Sequence, residues 1–165
     1  MHKRSVDWSE YQGLVAKICR DITLSDWRPD YIVGITRGGL VPAVMISQYL
    51  NIPCETIKIQ LRDGTECESN CWMAEDAFEE KKILVVDDIN DSGATLNWLM
   101  NDWQSLALPD HTRWNDTWNN NVRFAVLFDN LASQCSVKMD YVGEEVNKAE
   151  NDIWIDFPYE DWWTK

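Results

Sequence analysis

A run of apolar residues that ends in two carboxylates, Ile83–Thr95 (ILVVDDINDSGAT), constrains this chain more than any other segment. Ile83–Val86 is apolar at every position, which is the pattern of a strand buried on both faces. Asp87 and Asp88 follow at the end of the strand, and a short loop of small polar residues leads to a helix that should begin near Thr95. A strand, a small-residue loop and a helix N-terminus form a site for a phosphate. The adjacent carboxylates suit hydroxyl groups or Mg²⁺.

An acidic pair at a strand end is also typical of the receiver domains of response regulators. In that interpretation Asp129, at the end of the next predicted strand, would be the phosphorylation site. A receiver needs two more strands after this position, and the segment from Asp129 to Lys165 contains no suitable pair. A receiver also begins with its acidic strand, whereas Met1–Lys82 precedes the strand here. Both differences disfavour a receiver domain.

A second strand and loop lie upstream. Tyr31–Ile35 (YIVGI) is predicted to be another buried strand, and it runs through the loop Thr36–Leu40 (TRGGL) into a helix from about Pro42 to Leu50. Proline near a helix start fits its fixed φ angle and missing donor. The planar guanidinium of Arg37 suits phosphate oxygens. Alone, this segment is an ordinary strand–turn–helix, but together with the acidic loop it indicates a larger anion site.

The segment VVDDINDSGATL closely resembles the loop of the type I phosphoribosyltransferases that binds 5-phosphoribosyl 1-diphosphate (PRPP), and TRGGLVPA resembles the pyrophosphate loop of their xanthine–guanine branch. The resemblance implies an α/β fold, a parallel sheet flanked by helices, with a small hood formed by the N- and C-terminal segments (about residues 1–25 and 138–165). It implies one domain over residues 1–165. A mobile loop at about residues 61–78 would close over the reaction and exclude water.

The same resemblance implies which residues bind PRPP and Mg²⁺. Asp87 and Asp88 would approach the ribose hydroxyls and the metal, with Asp156 as a further metal ligand. Asp91 would be the catalytic base that accepts the proton of the purine, although a carboxylate there could also simply cap the following helix. The peptide bond before Arg37 is a candidate for the cis form. The implied PRPP-binding set is Arg37, Gly38, Gly39, Asp87, Asp88, Asp91, Ser92, Gly93, Ala94 and Thr95.

The C-terminal part of the chain is implied to bind the nucleobase. The segment IWIDFP resembles the xanthine–guanine segment whose Trp stacks on the purine, so Trp154 is the stacking candidate, with packing in the hood as its alternative role. Ile155 would read the base edge through its backbone, and Asp156 would lie near an exocyclic group. Asn130 stands where the 6-oxopurine enzymes carry a lysine for the purine O6. An amide is a weaker donor that can also accept, so the choice of base stays open.

The implied function is transfer of the phosphoribosyl group from PRPP to a purine base, with release of pyrophosphate and with Mg²⁺ as cofactor. A 6-oxopurine (xanthine, guanine or hypoxanthine) is the favoured base. Two alternatives stay open: a PRPP-sensing regulator without catalysis, and a phosphoribosyltransferase for another base. Such regulators usually carry an added nucleic-acid-binding domain or a basic face. Homodimers or homotetramers are usual in the family.

Composition limits the partners. The net charge of −13 argues against binding to nucleic acid, which needs a basic surface. The sequence has no 18-residue apolar run and no signal-peptide pattern, so a soluble, cytoplasmic protein that binds no membrane is expected. Five scattered cysteines indicate reduced thiols, and none of them lies in a His or Cys cluster suited to structural zinc.

The remaining pattern alternates strands with helices, which predicts a parallel sheet whose ligands gather at the carboxyl ends of the strands. A first helix is predicted from a capping box of Ser9 and Gln12. A long loop is predicted at Leu61–Phe78, in which Arg62 is either a pyrophosphate contact or a solvated side chain. A surface connection is predicted at Pro109–Asn121. The predicted apolar face of the first helix comprises Tyr11, Leu14, Val15, Ile18 and Ile22; the other predicted elements are the strands Glu55–Gln60 and Val122–Phe128 and the helix Thr95–Leu106.

Overall fold

The chain alternates between strands and helices in a computed structural model that describes residues 1–165. The strands are β1 (His2–Ser5), β2 (Tyr31–Thr36), β3 (Cys54–Gln60), β4 (Glu66–Cys67), β5 (Ile83–Asn90), β6 (Val122–Asn130), β7 (Tyr141–Val146) and β8 (Ile153–Asp156). The helices are α1 (Trp8–Leu24), α2 (Leu40–Leu50), α3 (Cys71–Phe78) and α4 (Ala94–Leu106), with 3₁₀ helices at Thr112–Asp116 and Trp162–Thr164.

Six strands form a central sheet in the order β4-β3-β2-β5-β6-β7, in which every neighbouring pair is parallel except β3 with the short β4. The predicted α/β fold with a parallel sheet flanked by helices is confirmed. Within the sheet, β3 pairs with one edge of β2 and β5 pairs with the other edge of β2. The loops after β2 and β5 therefore flank the point where the strand order reverses, which is where open α/β sheets bind ligands.

Two apolar cores cover the two faces of the sheet. Successive residues of a strand point to opposite faces, so Ile32 enters the core under α1 and α2, whereas Val33 enters the core under α3 and α4. Leu84 and Val85 divide in the same way. This double burial explains why both central strands are apolar at nearly every position, and it fixes the register that carries the two loops to one edge.

The first helix has the predicted buried face, but its predicted cap is wrong. The carboxylate of Asp7 accepts a hydrogen bond from the backbone N–H of Glu10 at 2.8 Å, and Asp7 has the extended backbone of an N-cap. The helix therefore begins at Trp8, one residue before the predicted cap Ser9. An aspartate is as effective as serine in this position, and the sequence offered both.

The second half of the predicted loop at residues 61–78 is wrong, because Cys71–Phe78 forms α3. The side chain of Asn70 caps this helix by accepting from the N–H of Met73 at 3.0 Å. The buried positions are spaced for a helix that is apolar on one face, a pattern masked by the acidic residues between them. They are Met73, Ala74, Ala77 and Phe78.

The predicted surface connection at Pro109–Asn121 is also wrong in its main feature. It contains a 3₁₀ helix, and Trp114 within it is only 2% exposed. The Trp114 ring stacks on Trp118 at 5.4 Å between centroids, and its indole N–H donates to the carbonyl of Ala107 at 2.8 Å. Tryptophan can be buried in this way when its N–H finds a partner, so the connection closes one end of the core.

The terminal segments meet in a small parallel sheet of β1 and β8, in which His2 lies opposite Ile153 and Ser5 opposite Asp156. This pairing forms the hood of the predicted fold. α1, which the predicted hood range 1–25 includes, packs on the central sheet instead. All five cysteines are free thiols. The chain contains no helix with the length and apolar content that crossing a bilayer requires.

Replacing Trp114 with Ala should lower the free energy of unfolding by about 3–5 kcal/mol, because it removes a large buried ring and leaves a cavity. Trp163→Ala is the matched control, since this ring is 69% exposed, and it should change stability by less than about 0.5 kcal/mol. Urea unfolding followed by circular dichroism measures both. Equal effects of the two substitutions would show that the 109–121 connection is not part of the core.

Candidate active site

A cavity of about 930 Å³ opens at the carboxyl ends of β2, β3 and β5. Its walls come from the two glycine-containing loops, from the end of β3 and from the chain around β8. Most residues of the predicted site line it, but Gly39, Asn130 and Asp156 do not. The predicted residues that line the cavity are Arg37, Gly38, Asp87, Asp88, Asp91, Ser92, Gly93, Ala94, Thr95, Trp154 and Ile155.

The loop after β5 ends at the N-terminus of α4, which faces the cavity. Gly93 has φ 91°, a left-handed conformation that disfavours side chains, and a Cβ there would collide with the backbone of Cys135. The hydroxyl of Ser92 accepts from the N–H of Ala94 at 3.2 Å. The first N–H groups of a helix have no partners within the helix, so this turn can bind an anion such as a phosphate.

The loop after β2 is packed against the end of β5. The peptide bond Thr36–Arg37 is cis, as predicted. A Cβ at Gly38 would collide with the carboxylate of Asp88, and a Cβ at Gly39 would collide with the carbonyl of Val86. Gly38 thus forms the wall that the acidic pair faces, whereas Gly39 serves the packing of the loop on the strand.

The carboxylates of Asp87 and Asp88 are held by local donors. Asp87 Oδ1 accepts from the N–H of Asp88 at 2.9 Å, and Asp88 Oδ1 accepts from the N–H of Ile89 at 2.8 Å. The hydroxyl of Tyr159 lies 2.9 Å from Asp88 Oδ2, and it lies 3.3 Å from the carbonyl of Gly38. One hydroxyl hydrogen serves one acceptor at a time, and the shorter distance favours Asp88. Tyr159 therefore ties the C-terminal segment to the acidic pair.

Desolvation makes the acidic pair costly in its charged form. Burial raises the pKa of Asp87 well above its usual range, and the neighbouring charge of Asp88 raises it further. Burial also raises the pKa of Asp88, while the hydrogen bond from Tyr159 opposes that rise. A cation bound between the two carboxylates would remove both the desolvation cost and the repulsion.

The donor set fits Mg²⁺ held jointly with a substrate. No group of three or more His, Cys, Asp or Glu side chains suited to a metal is present. Magnesium usually takes one or two carboxylates and completes its shell with water and substrate phosphates, which is what Asp87 and Asp88 can offer. The carboxylate of Asp156, the predicted third ligand, lies 3.2 Å from the ammonium of Lys165 and 3.2 Å from the hydroxyl of Ser5, and it does not line the cavity. Nothing in the structure brings it together with Asp87 and Asp88, and its roles at the metal and at the base stay predictions.

Asp91, which directly precedes the phosphate turn, lies among cations beside Trp154. Asp91 Oδ1 is 3.0 Å from the ammonium of Lys148, and Asp91 Oδ2 is 3.8 Å from the guanidinium of Arg62. The guanidinium of Arg62 also lies over the half-buried Trp154 ring, 5.0 Å from its centroid, and the Lys148 ammonium lies 5.7 Å from it. An aromatic ring in the cavity wall, a carboxylate and two cations together suit a planar heterocycle that exchanges a proton.

Asn130 does not reach this cluster with a free group. Its Nδ2 donates to the backbone carbonyl of Asp91 at 3.0 Å. Its Oδ1 accepts from the backbone N–H groups of Ala132 and Lys148 at 3.1 and 3.0 Å. The side chain is buried, and both its Nδ2 and its Oδ1 have protein partners, so a contact between Asn130 and the base stays a prediction. In the structure Asn130 organises the backbone around Asp91.

Two residues of the site were not found from the sequence. Lys148 lies in the turn between β7 and β8, and Tyr159 follows β8, so neither belongs to a periodic element. The one available signal was the missing lysine at position 130, which invited a search for another cation. Nothing in the pattern around Tyr159 indicates its hydrogen bond to Asp88.

Comparison with known sequences identifies the class of protein that the fold and the two loops define. Residues 7–162 match the phosphoribosyl transferase domain family, and the chain belongs to this family. The resemblance inferred from the two loops is confirmed.

Individual relatives are more distant. A xanthine-guanine phosphoribosyltransferase of Idiomarina loihiensis is 29% identical over 160 residues, which are 94% of this chain and 85% of that protein. Xanthine phosphoribosyltransferase 1 of Saccharomyces cerevisiae is 26% identical over 121 residues, 59% of this chain, and the match spans only 58% of the yeast protein. The structure of a xanthine-guanine-hypoxanthine phosphoribosyltransferase of Helicobacter pylori has a TM-score of 0.71 at 20% identity, covering 99% of this chain and 97% of that one. At this identity the structural likeness shows the fold alone.

Replacing Asp87 with Asn should stabilise the metal-free protein at pH 8 by on the order of 1 kcal/mol. The folded-state pKa of Asp87 is raised, so over the interval between its unfolded and folded pKa values the folded protein holds a proton that the unfolded chain releases. Stability is therefore lost as the pH rises through this interval, and the neutral amide avoids that loss. Urea unfolding in EDTA should show the gain at pH 8 and its disappearance near pH 4.

Asp110→Asn is the control for the loss of one negative charge from an acidic protein, because Asp110 is exposed. It should change stability little at either pH. A decrease in stability of Asp87→Asn at pH 8 would contradict the account of a desolvated acidic pair.

Proposed function

We propose that the protein is a purine phosphoribosyltransferase that transfers the 5-phosphoribosyl group from PRPP to a 6-oxopurine and releases pyrophosphate. One observation carries the proposal: a single cavity is lined by two anion-binding loops, by an acidic pair and by a further carboxylate, Asp91, that shares its cations with the ring of Trp154. The relatives named for xanthine and guanine phosphoribosyltransferases support the purine. Cytoplasmic location and assembly into a homodimer or homotetramer stay predictions.

The proposed placement of PRPP follows the chemistry of each wall. The 5′-phosphate lies at the N-terminus of α4, where the backbone N–H groups and hydroxyls of residues 92–95 face it. Arg37 and the backbone at Gly38 receive the diphosphate. Asp87 and Asp88 face the ribose hydroxyls, and they are the residues that would hold Mg²⁺, which would supply positive charge near the departing diphosphate. Each group thereby meets an element of complementary charge.

The proposed reaction joins a purine at Trp154 to the ribose of PRPP. The purine stacks on Trp154 in the space where Arg62 now lies, and a ring nitrogen attacks C1′ of the ribose. The bond between C1′ and the diphosphate oxygen breaks with both electrons going to pyrophosphate, and the proton of the purine, carried on N7 while N9 attacks, passes to Asp91. The predicted loop also contains β4, which pairs with β3, so the proposed lid that excludes water is the connection 61–65, which includes Arg62.

The first test is pyrophosphate release from Mg-PRPP with a panel of hypoxanthine, xanthine, guanine, adenine and orotate. Turnover with at least one 6-oxopurine, and none with orotate, is the expected result. Tight binding of PRPP without turnover of any base would favour the PRPP-sensing regulator. Turnover with orotate alone would assign the protein to another base class.

Asp91→Asn should lower kcat with the preferred base by about 10²–10⁴-fold, because an amide cannot accept the purine proton. Far-ultraviolet circular dichroism and the affinity for Mg-PRPP should be unchanged, since the Asp91 side chain does not cap α4, whose N-cap is Gly93 without a side-chain hydrogen bond. Asp110→Asn, an exposed carboxylate outside the cavity, is the matched control and should keep full turnover. Undiminished kcat in Asp91→Asn would rule out Asp91 as the proton acceptor.

A further inference from the structure

We infer that Lys148 selects the substituent at C6 of the base: its ammonium donates to an exocyclic oxygen and disfavours an amino group at that position. This inference rests on the proposed function and names the feature of the substrate that the site recognises. Lys148 lies in the turn between β7 and β8, where no sequence motif predicts a ligand contact.

The position of Lys148 is fixed by its surroundings. Its backbone N–H donates to Asn130 Oδ1 at 3.0 Å. The turn that carries it is closed by Asn147, whose carbonyl accepts from the N–H groups of Glu150 and Asn151 at 3.2 and 3.0 Å. The side chain of Lys148 is 18% exposed, and its ammonium lies 3.0 Å from Asp91 Oδ1. A cation held in this way has a defined place relative to the proposed proton acceptor.

Arg62 differs from Lys148 in each of these respects. Its side chain is 66% exposed and lies 3.8 Å from Asp91, and it comes from the tip of the β3–β4 connection. It covers the Trp154 ring at 5.0 Å, so a stacking base must replace it. Once Arg62 leaves, Lys148 is the cation that remains beside both the ring of Trp154 and the carboxylate of Asp91.

The chemistry of purines then determines what Lys148 meets. N7 and the substituent at C6 lie on the same edge of the base; the oxygen of a 6-oxopurine accepts there, whereas the amino group of adenine donates. If Asp91 takes the proton of N7, the neighbouring ammonium faces the C6 substituent. An ammonium has three donors and no acceptor, so it pairs with an oxygen and opposes an amino group. Buried polar groups left unpaired are what make such sites selective.

Asn130 and Lys148 also divide two tasks between them. The amide of Asn130 holds the backbone at Asp91 and at Lys148, and the ammonium of Lys148 stays available to a ligand. A base-facing amide at position 130 would have accepted either substituent, since amides both donate and accept. The occupied amide removes that ambiguity.

The test uses pairs of ligands that differ only at C6. In Lys148→Met, kcat/KM for hypoxanthine should fall about 10²-fold, as for removal of one well-placed donor, while kcat/KM for adenine should not fall. Calorimetry should show weaker binding of inosine monophosphate and unchanged binding of adenosine monophosphate. Lys148→Gln should recover part of the hypoxanthine activity and increase the use of adenine, because its amide can also accept.

Lys138→Met is the matched control, since Lys138 is an exposed lysine outside the main cavity, and it should leave both ratios unchanged. Equal losses for hypoxanthine and adenine, or equal weakening of the two nucleotides, would overturn the assignment and make Lys148 a structural partner of Asp91. The wild-type protein could turn over no base while Lys148→Met still weakens the binding of inosine monophosphate and not that of adenosine monophosphate. That result would overturn the proposed function and keep the assignment of Lys148.

Discussion

Two adjacent carboxylates at the carboxyl end of β5 impose the constraint on which the rest of the site depends. Burial raises the pKa of both Asp87 and Asp88, so the fold bears a cost at neutral pH wherever no cation offsets it. The neighbouring loop brings the backbone of Gly38 so close to Asp88 that no side chain fits between them. Such a pocket is poorly designed for stability and well designed for a metal ion shared with an anionic ligand, which is the usual conflict at a functional site.

The C-terminal segment completes the site, and a hydrogen bond to the acidic pair ties it there. Tyr159 reaches Asp88 with its hydroxyl and stacks on Phe157 with a centroid distance of 5.6 Å. Both rings pack edge-on against Tyr11 of α1, which belongs to the core of the central sheet. The hood that carries Trp154 is thereby anchored to the wall that faces PRPP in the proposed function. The acidic pair and the segment that carries Trp154 are therefore parts of one packed unit.

The sequence predicted those parts of the site that follow buried strands. Both loops were found because four or five successive apolar residues announce a strand, and the polar residues after it must lie at the sheet edge. Asp87, Asp91 and Arg37 were located by this logic, and the family resemblance added their proposed roles. Strand β3 was found from its alternation, although its partner at the sheet edge, β4, is too short to have a pattern.

The rest escaped because it depends on contacts between distant parts of the chain. Trp114 is buried although its neighbours are polar, since its indole N–H finds a carbonyl that no local rule predicts. Asp156 follows directly after residues that line the cavity, but its carboxylate accepts hydrogen bonds from Lys165 and Ser5 at the two ends of the chain. Tyr159 follows Asp88 by 71 residues, which is too far along the chain for a sequence pattern to predict the contact. In each case the missing information is a partner, and sequence patterns describe only neighbours.

The pairing of Asn130 with Lys148 shows how a site can keep its charge while the residue that carries it moves along the chain. A lysine at position 130 would remove the acceptor that holds the backbone of Lys148, and it would bring a second ammonium to the backbone of Asp91. The turn after β7 could then neither keep its shape nor tolerate its own cation beside the first. Asn130 is therefore not a weaker substitute for a lysine, because its side chain positions the backbone of the lysine at position 148. The two positions must be interpreted together.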